Sequence, residues 1–496
     1  MKKILMRMGK DPFEVVSAEK TLKKNLLGTN IGNALFQVAS HKLLTTKDSE
    51  VIPYKFTPSL KDVEWANENF DMFVIPLANA FRISFKKSLD KHTEFIKKLN
   101  IPVLVLGVGV QAEIECNDFS HLEVIKESVK NFCDAVLEKS KSIGVRGACT
   151  KKYLLSLGYK EEQIDIIGCP SMFWHGDEIF IHKKSKYIYN SSKISFNLSP
   201  YAKYSKNILL KVIKFFDDVV YIPQNNSDLE QILYRNFSQE REIDRLLYKY
   251  FYSKNKVIFF NEPKTWIDFL KTRDFSIGTR IHGTIASIIA GTPAHIFVHD
   301  SRTKELAEYF EIPFTPISEI ENINLYKLYE DYDYSNIIKN HKTRFEKVEK
   351  FLKKHNINHI FEEQNIDVLK KYENKYFNLD FKSNKLDYSA DVFEKINNLE
   401  NIIRKNETQT KKELNEKFEK INENIEKNNK NINNLENIIR ENETQTKKEL
   451  NEKFEKINEN IEKNDKNINN LKNEIKNDLI ILYVLILITI VIIKVL

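Results

Sequence analysis

Two hydrophobic patterns divide this chain. Up to about residue 345, short continuous apolar runs alternate with longer stretches whose apolar positions recur every three or four residues. Runs of this length suit strands buried on both faces, and the stretches between them suit helices. The strand candidates are the N-terminal run Met1–Arg7, then Val74–Leu77, Pro102–Gly109 ending in a glycine turn, Ile143–Val145 and Ile164–Gly168. A second set comprises Ile194–Leu198, Val219–Ile222, Val257–Phe260, Phe275–Gly278 and Ala294–Val298. This alternation predicts an α/β protein with two doubly wound, Rossmann-like domains, residues 1–185 and 186–345. A helical or linker segment is expected over 346–390.

Beyond residue 390 the pattern becomes purely helical. Residues 396–431 and 432–467 form a tandem repeat of 36 residues that differs only at Lys405/Glu441 and Asn429/Asp465. Leu414, Phe418, Ile421, Ile425, Ile432, Leu435 and Ile439 keep spacings of three and four, without Gly or Pro. A long helix over 391–478 follows, about 130 Å if continuous. Its favoured reading is a coiled-coil stalk that makes the protein a homo-oligomer, against a lone charged helix. A repeat of 36 residues is ten turns at 3.6, so the seam should supercoil little. Leu479 to Ile493 is an unbroken apolar run, followed by Lys494. A transmembrane tail anchor is expected over 479–496. Lys472 and Lys476 before it favour a cytoplasmic catalytic head on that side of the membrane.

Composition sharpens this division. All 12 prolines lie at or before Pro316 and all 13 glycines at or before Gly291, so the globular part ends well before the repeats. The net charge of +7 belongs to the first 390 residues, because the repeat region is nearly balanced. That suits anionic substrates or an anionic membrane surface. No basic run interleaved with stacking aromatics is present, so nucleic acid is not expected as a partner. Cys116, Cys133, Cys149 and Cys169 form no CxxC pair and no His cluster accompanies them. Neither a metal site nor a disulfide scaffold is expected, and a reducing compartment fits.

The chemistry concentrates at Ser276–Thr284, where Gly278-Thr279-Arg280-Ile281-His282-Gly283 joins a strand to an apolar helix. A helix start offers free backbone N–H groups, and small residues let an anion approach them. Arg280 adds a planar fork for carboxylate or phosphate, and His282 a group that exchanges protons. A structural turn is the bland alternative. Other strand ends add candidates. Arg146 follows Ile143–Val145, Asn79 and Arg82 follow Val74–Leu77, and Gln224 follows Tyr221-Ile222-Pro223. The Gly28–Asn33 turn, with Asn30 and Asn33, reads either as an anion cradle or as a plain turn.

Together these residues resemble the polysaccharide pyruvyltransferase family over about residues 20–315. The most specific likeness is Gly278–Gly283 with Gly291-Thr292-Pro293 and Asp300-Ser301-Arg302. Gly144-Val145-Arg146, Leu106–Gly109 and the Asn30/Gly32/Asn33 loop support it. Two stretches depart from the family pattern. Pro76–Ala80 stands where many members have a run of glycines, and Gly168-Cys169-Pro170-Ser171 where many have an aspartate. The resemblance implies a GT-B-like fold and transfer of pyruvate from phosphoenolpyruvate to sugar hydroxyls, leaving a ketal. It implies His282 as the general acid or base, with Arg280 and Arg146 on the donor's carboxylate and phosphate. Arg302 would be a further donor contact, and the helix at Gly283 would add backbone donors. Phosphoenolpyruvate would be a substrate, with no other cofactor. A membrane-bound, lipid-linked glycan acceptor follows from the expected anchor. The alternatives are a nucleotide-sugar glycosyltransferase on the same architecture, or an inactive scaffold or glycan-binding module.

Overall fold

The computed structural model describes residues 1–381, 385–387, 391–442 and 447–495. Residues 1–233 and 237–388 form one compact unit; residues 234–236 and 389–496 form the other.

The first unit is built on two parallel sheets. The first sheet has the order β2 (Ser49–Tyr54), β1 (Lys2–Arg7), β3 (Met72–Pro76), β4 (Val103–Leu106). It is extended by β5 (Ile143–Val145) and β6 (Ile164–Ile166): the Val108 amide donates to the Gly144 carbonyl at 3.1 Å, and the Arg146 amide to the Val108 carbonyl at 3.0 Å. The second sheet has the order β12 (Phe314–Pro316), β11 (Ala294–Val298), β10 (Phe275–Gly278), β7 (Ile194–Asn197), β8 (Val219–Tyr221). β9 (Ile258–Phe260) follows β8 through a parallel bridge at Val257, and β13 (Lys385–Asp387) pairs antiparallel with β9. Every residue of β3, β4, β10 and β11 is buried, as expected of strands covered by helices on both faces.

The stretch expected as a helical or linker segment carries helices that pack onto the head. In helix Ser335–Lys354, Phe351 lies against Gly144 of β5, where a Cβ would come within 3.0 Å of its ring. Helix Ile366–Phe377 is tied to helix Ile31–Leu44 by Lys42–Glu373 at 2.7 Å and by Tyr372 to His41 at 3.1 Å. Apolar faces on these helices supply the reason, since Phe351, Leu352 and Tyr376 are almost fully buried.

The cysteine reading is corrected at one pair. Cys116 and Cys149 form a disulfide with Cα atoms 5.7 Å apart, because the loop after β4 folds back on the start of helix Ala148–Ser156. Cys133 and Cys169 are free and buried.

The second unit contains helices Asp391–Asn442 and Lys447–Val495. The expected helical stalk is thus helical on both sides of residues 443–446, which lie outside the described residues. Ile402, Phe418, Ile425 and Phe454 are exposed along it. The expected membrane span is not found: among the described residues no helix is long and apolar enough to cross a membrane. The backbone is helical to Val495, but the side chains of 485 and 487–496 lie outside the described residues. What is described of the apolar run falls well short of the roughly 20 residues a span needs.

Candidate active site

In open parallel sheets, ligands bind beyond the carboxyl ends of the strands, where the strand order reverses. The first sheet reverses between β1 and β3, the second between β7 and β10. Both points open on one cleft of about 1160 Å³. Loops from the two halves meet beside it. The Ile31 amide donates to the Gln224 carbonyl at 3.0 Å, and the Asn226 amide to the Thr29 carbonyl at 2.8 Å.

On the second sheet, Arg280 caps helix Ile281–Ile289 immediately after β10. Asn197, at the end of the neighbouring β7, holds this turn. Its carbonyl accepts from the Thr279 amide at 3.1 Å and its Oδ1 from the Arg280 amide at 2.9 Å. The glycines of the motif make that approach feasible. A Cβ on Gly278 would lie 2.2 Å from the Asn197 carbonyl, and one on Gly283 would lie 2.6 Å from Asn197 Nδ2 and 2.7 Å from Gln224 Nε2. The Arg280 guanidinium donates to Asn225 Oδ1. Asp228 accepts from the Asn225 amide at 2.8 Å. Burial pushes the Asp228 carboxyl up despite the nearby Arg280.

His282 lies one helical step on, with its ring against Gly32 of the first half. Its Nε2 is 3.8 Å from Cys169 Sγ. Burial, then the charges of Arg146 and Arg280, push its pKa down to about 3. The ring is therefore neutral across the physiological range.

Arg146, at the end of β5, is only 2 % exposed. Its Nε donates to the Gly107 carbonyl at 3.1 Å, and its Nη2 is buried without a partner. Gly109 leaves room for it, since a Cβ there would lie 2.8 Å from Arg146 Cδ. Beside it, Glu305 of helix Ser301–Phe310 accepts from the Thr150 amide at 3.0 Å and the Thr150 hydroxyl at 2.9 Å. Burial raises that carboxyl to about 7. Asn79, past the end of β3, turns its amide oxygen to two guanidiniums, accepting from Arg82 Nη1 at 2.7 Å and Arg302 Nη1 at 2.8 Å. Arg302 also donates through Nε to Asp300 at 2.8 Å. Arg82 Nε is buried without a partner.

Of the residues singled out from the sequence, Arg146, Arg280, His282 and Arg302 all line the cleft, as do Asn30, Asn33, Asn79 and Gln224. Asn30 caps helix Ile31–Leu44, its Oδ1 accepting from the Asn33 amide at 3.2 Å. Gln224 keeps Nε2 buried and unpartnered. Gly283 is placed otherwise. It does not line the cleft, the helix starts before it, and its amide donates to the Arg280 carbonyl at 2.9 Å. Its smallness, rather than its N–H, is what the turn uses. Sequence reasoning missed Asn197, Asp228 and Glu305. Asn197 was open to the same strand-end rule that found Gln224, whereas Glu305 on its helix carries no local signal. Among the described residues no group of three or more His, Cys, Asp or Glu is placed to hold a metal ion.

The family description "polysaccharide pyruvyl transferase" matches residues 48–301. No curated protein matches the chain. Solved structures with a distant likeness include UDP-GlcNAc 2-epimerase from Neisseria meningitidis bound to UDP-GlcNAc, 12% identical, covering 71% of this chain and 100% of that one at a TM-score of 0.41. The Staphylococcus aureus MnaA–UDP structure is 12% identical and covers 72% of this chain and 97% of that one at 0.40. Anabaena HepE with UDP and glucose is 12% identical and covers 75% and 100% at 0.38. At these scores none of the three bears on what this chain does.

Proposed function

The chain belongs to the polysaccharide pyruvyl transferase family and is a transferase; from that premise we propose that it moves a pyruvyl group from phosphoenolpyruvate to hydroxyls of a glycan or lipid-linked glycan precursor, forming a pyruvate ketal. The observation that carries the reading is the convergence of Arg146, Arg280 and His282 on one cleft, with a buried guanidinium nitrogen of Arg146 left unpartnered.

A donor with a carboxylate and a phosphate satisfies both arginines, one anionic group to each. Its negative charge also offsets the charges of Arg146 and Arg280, which add to burial in holding His282 neutral, so the ring gains basicity as the donor binds. Protonation of the donor's methylene carbon by His282 makes C2 electrophilic. A sugar hydroxyl attacks C2 and returns its proton to the imidazole. The C2–phosphate bond then breaks, and inorganic phosphate leaves with its charge held by the guanidiniums. A second hydroxyl attacks the same carbon and closes the ketal, its proton passing to the departing phosphate.

The test is phosphate release from phosphoenolpyruvate by the full chain, with lipid-extracted glycan acceptors, beside His282→Ala and Arg280→Ala. Acceptor-dependent release, lost in both variants, is the expected result. No release and no phosphoenolpyruvate binding, with turnover of a nucleotide sugar instead, would overturn it. Binding of the full chain to vesicles, and its sedimentation at rising concentration, test the remaining expectations of membrane attachment and coiled-coil assembly.

A further inference from the structure

The cleft holds more positive charge than the donor uses. Arg7, Arg82, Arg146, Lys203, Arg280 and Arg302 line it, and Asp300 is the only carboxylate among its lining residues. A phosphate monoester carries about −1.5 to −2 near neutral pH, and a carboxylate adds one more. Subtracting that donor from a lining of six cations and one acid leaves roughly two positive charges unmatched.

The excess has an address. Part of it gathers past the end of β3, beside the first sheet's reversal point. There Asn79 holds the guanidiniums of Arg82 and Arg302 on one neutral oxygen, at 2.7 and 2.8 Å. Two cations drawn to a single uncharged acceptor repel each other, and burial with the charges of Arg302 and Arg146 depresses the Arg82 pKa. Asp300 answers Arg302 but makes no bond to Arg82. Arg82 Nε remains buried and unpartnered. An apolar wall adjoins the same cations: Arg82 lies over the Phe85 ring at 5.7 Å and Arg7 over Phe56 at 5.1 Å, and both rings line the cleft.

We propose that Arg82, Asn79 and Arg302 form a second anion subsite, and that the acceptor is a saccharide bearing its own phosphate or carboxylate, with its sugar against Phe56 and Phe85. This deepens the pyruvyl-transfer reading and moves Arg302 from the donor to the acceptor. The anionic group completes the bonding of Arg82 and Arg302 and leaves the sugar hydroxyls facing His282.

The test is calorimetric titration of the full chain, with and without phosphoenolpyruvate, using N-acetylglucosamine 1-phosphate, glucuronic acid and neutral N-acetylglucosamine as probes. The wild type should bind at least one anionic probe about tenfold or more tighter than the neutral sugar. Which of the two wins distinguishes a phosphate from a carboxylate. Arg82→Gln should erase the discrimination while changing the phosphoenolpyruvate Kd by less than about twofold. Asn79→Asp covers the case in which Arg82→Gln does not fold. It supplies the missing carboxylate from within, so the melting temperature should rise while anionic probes lose their advantage. A purely structural role for Asn79 would not couple those two changes. Equal binding of charged and neutral sugars by the wild type overturns the proposal. So does an Arg82→Gln protein that loses phosphoenolpyruvate as severely as the saccharide. Failure of the donor reading would appear separately, as no phosphoenolpyruvate binding to the wild type, while the saccharide comparison still stands or falls by itself.

Discussion

Replacing Gly32 by alanine sets a methyl group against the imidazole of His282. Gly32 lies in helix Ile31–Leu44 with an ordinary helical backbone, so alanine there meets no conformational penalty. On propensity alone the change stabilises the helix by about 1 kcal/mol. The neighbourhood decides otherwise. The new Cβ would lie 2.7 Å from both Cβ and Nδ1 of His282 and 2.8 Å from Cγ, against an ordinary contact of at least 3.4 Å. The ring or the helix must therefore give by roughly 0.7 Å, and overpacking of this kind costs about 1–3 kcal/mol. The net loss of stability is about 0–2 kcal/mol, small enough to leave a folded protein.

The effect on turnover should be larger. A misplacement of about 1 Å at a reacting group costs on the order of 100-fold. Phosphate release from phosphoenolpyruvate should fall roughly 10- to 100-fold in Gly32→Ala. The donor Kd should change by less than about threefold, because the arginines do not touch the new methyl. A double-mutant cycle isolates the contact. With His282 already truncated to alanine the ring contacts are gone but the Cβ contact at 2.7 Å stays, so Gly32→Ala should destabilise that background less than it does the wild type. If Gly32→Ala turns over at the wild-type rate, or destabilises both backgrounds equally, the ring is not seated where this reasoning needs it.

Three further outcomes follow. Because burial and two arginines hold His282 near pKa 3, donor binding at pH 6–7 should take up protons; calorimetry in two buffers of different ionisation enthalpy measures this, and zero uptake, with none lost in His282→Ala, counts against a proton donor. Glu305 titrates near 7 in the fold against an ordinary 4.5, so the unfolded chain releases its proton first and stability falls as pH rises through that window, then levels off; chemical denaturation should show Glu305→Gln gaining roughly 3 kcal/mol on the wild type between the two ends. Cys116 and Cys149 close a loop across 33 residues, so reduction or Cys116→Ser should cost about 3–4 kcal/mol; peptide mapping without reductant that finds both thiols free would remove the basis for that figure.

The buried strands were legible because a parallel strand covered on both faces is a continuous apolar run. Val103–Leu106 and Ala294–Val298 declare themselves in this way. The missed strands are edges or short partners. Ser49–Tyr54 stands at the end of its sheet with only half its positions buried, and its Ser-Glu start and internal Pro53 hide it. Phe314–Pro316 and Lys385–Asp387 have three residues each, too few to show a period. Single-residue chemistry was legible where a glycine-bracketed turn carries it, as at Arg280 and His282. It was not legible where the partner is distant in sequence. Nothing local marks Glu305 as buried against Thr150, or Cys116 as facing Cys149. The helix Ser335–Lys354 could not be assigned to the first sheet from its own pattern, because amphipathicity says that a face is covered and not by what.

The same distances explain why this cleft is not arranged for stability. Arg146 Nη2, Arg82 Nε and Gln224 Nε2 are all buried without partners at its wall. Each unsatisfied group of this kind costs about 1–3 kcal/mol. Apolar side chains of similar volume at these three positions would be nearly neutral or better for the fold alone, since removal of both hydrogen-bonding partners leaves nothing unsatisfied. An anion bound in the cleft would complete the two guanidiniums. Each strand-order reversal has a guanidinium beside it, Arg280 at the second sheet and Arg82 with Asn79 at the first. Each reversal point alone offers a single ligand crevice. Facing each other across one cleft, they bring two substrates within reach of a histidine whose charge state follows the first to arrive. That ordering follows from His282 lying nearer in charge to Arg146 and Arg280 than to Arg82 or Arg302, neither of which contributes to its shift. On the proposed pyruvyl transfer, the donor raises the basicity of the imidazole and takes its proton, and the acceptor hydroxyl returns one to the same ring.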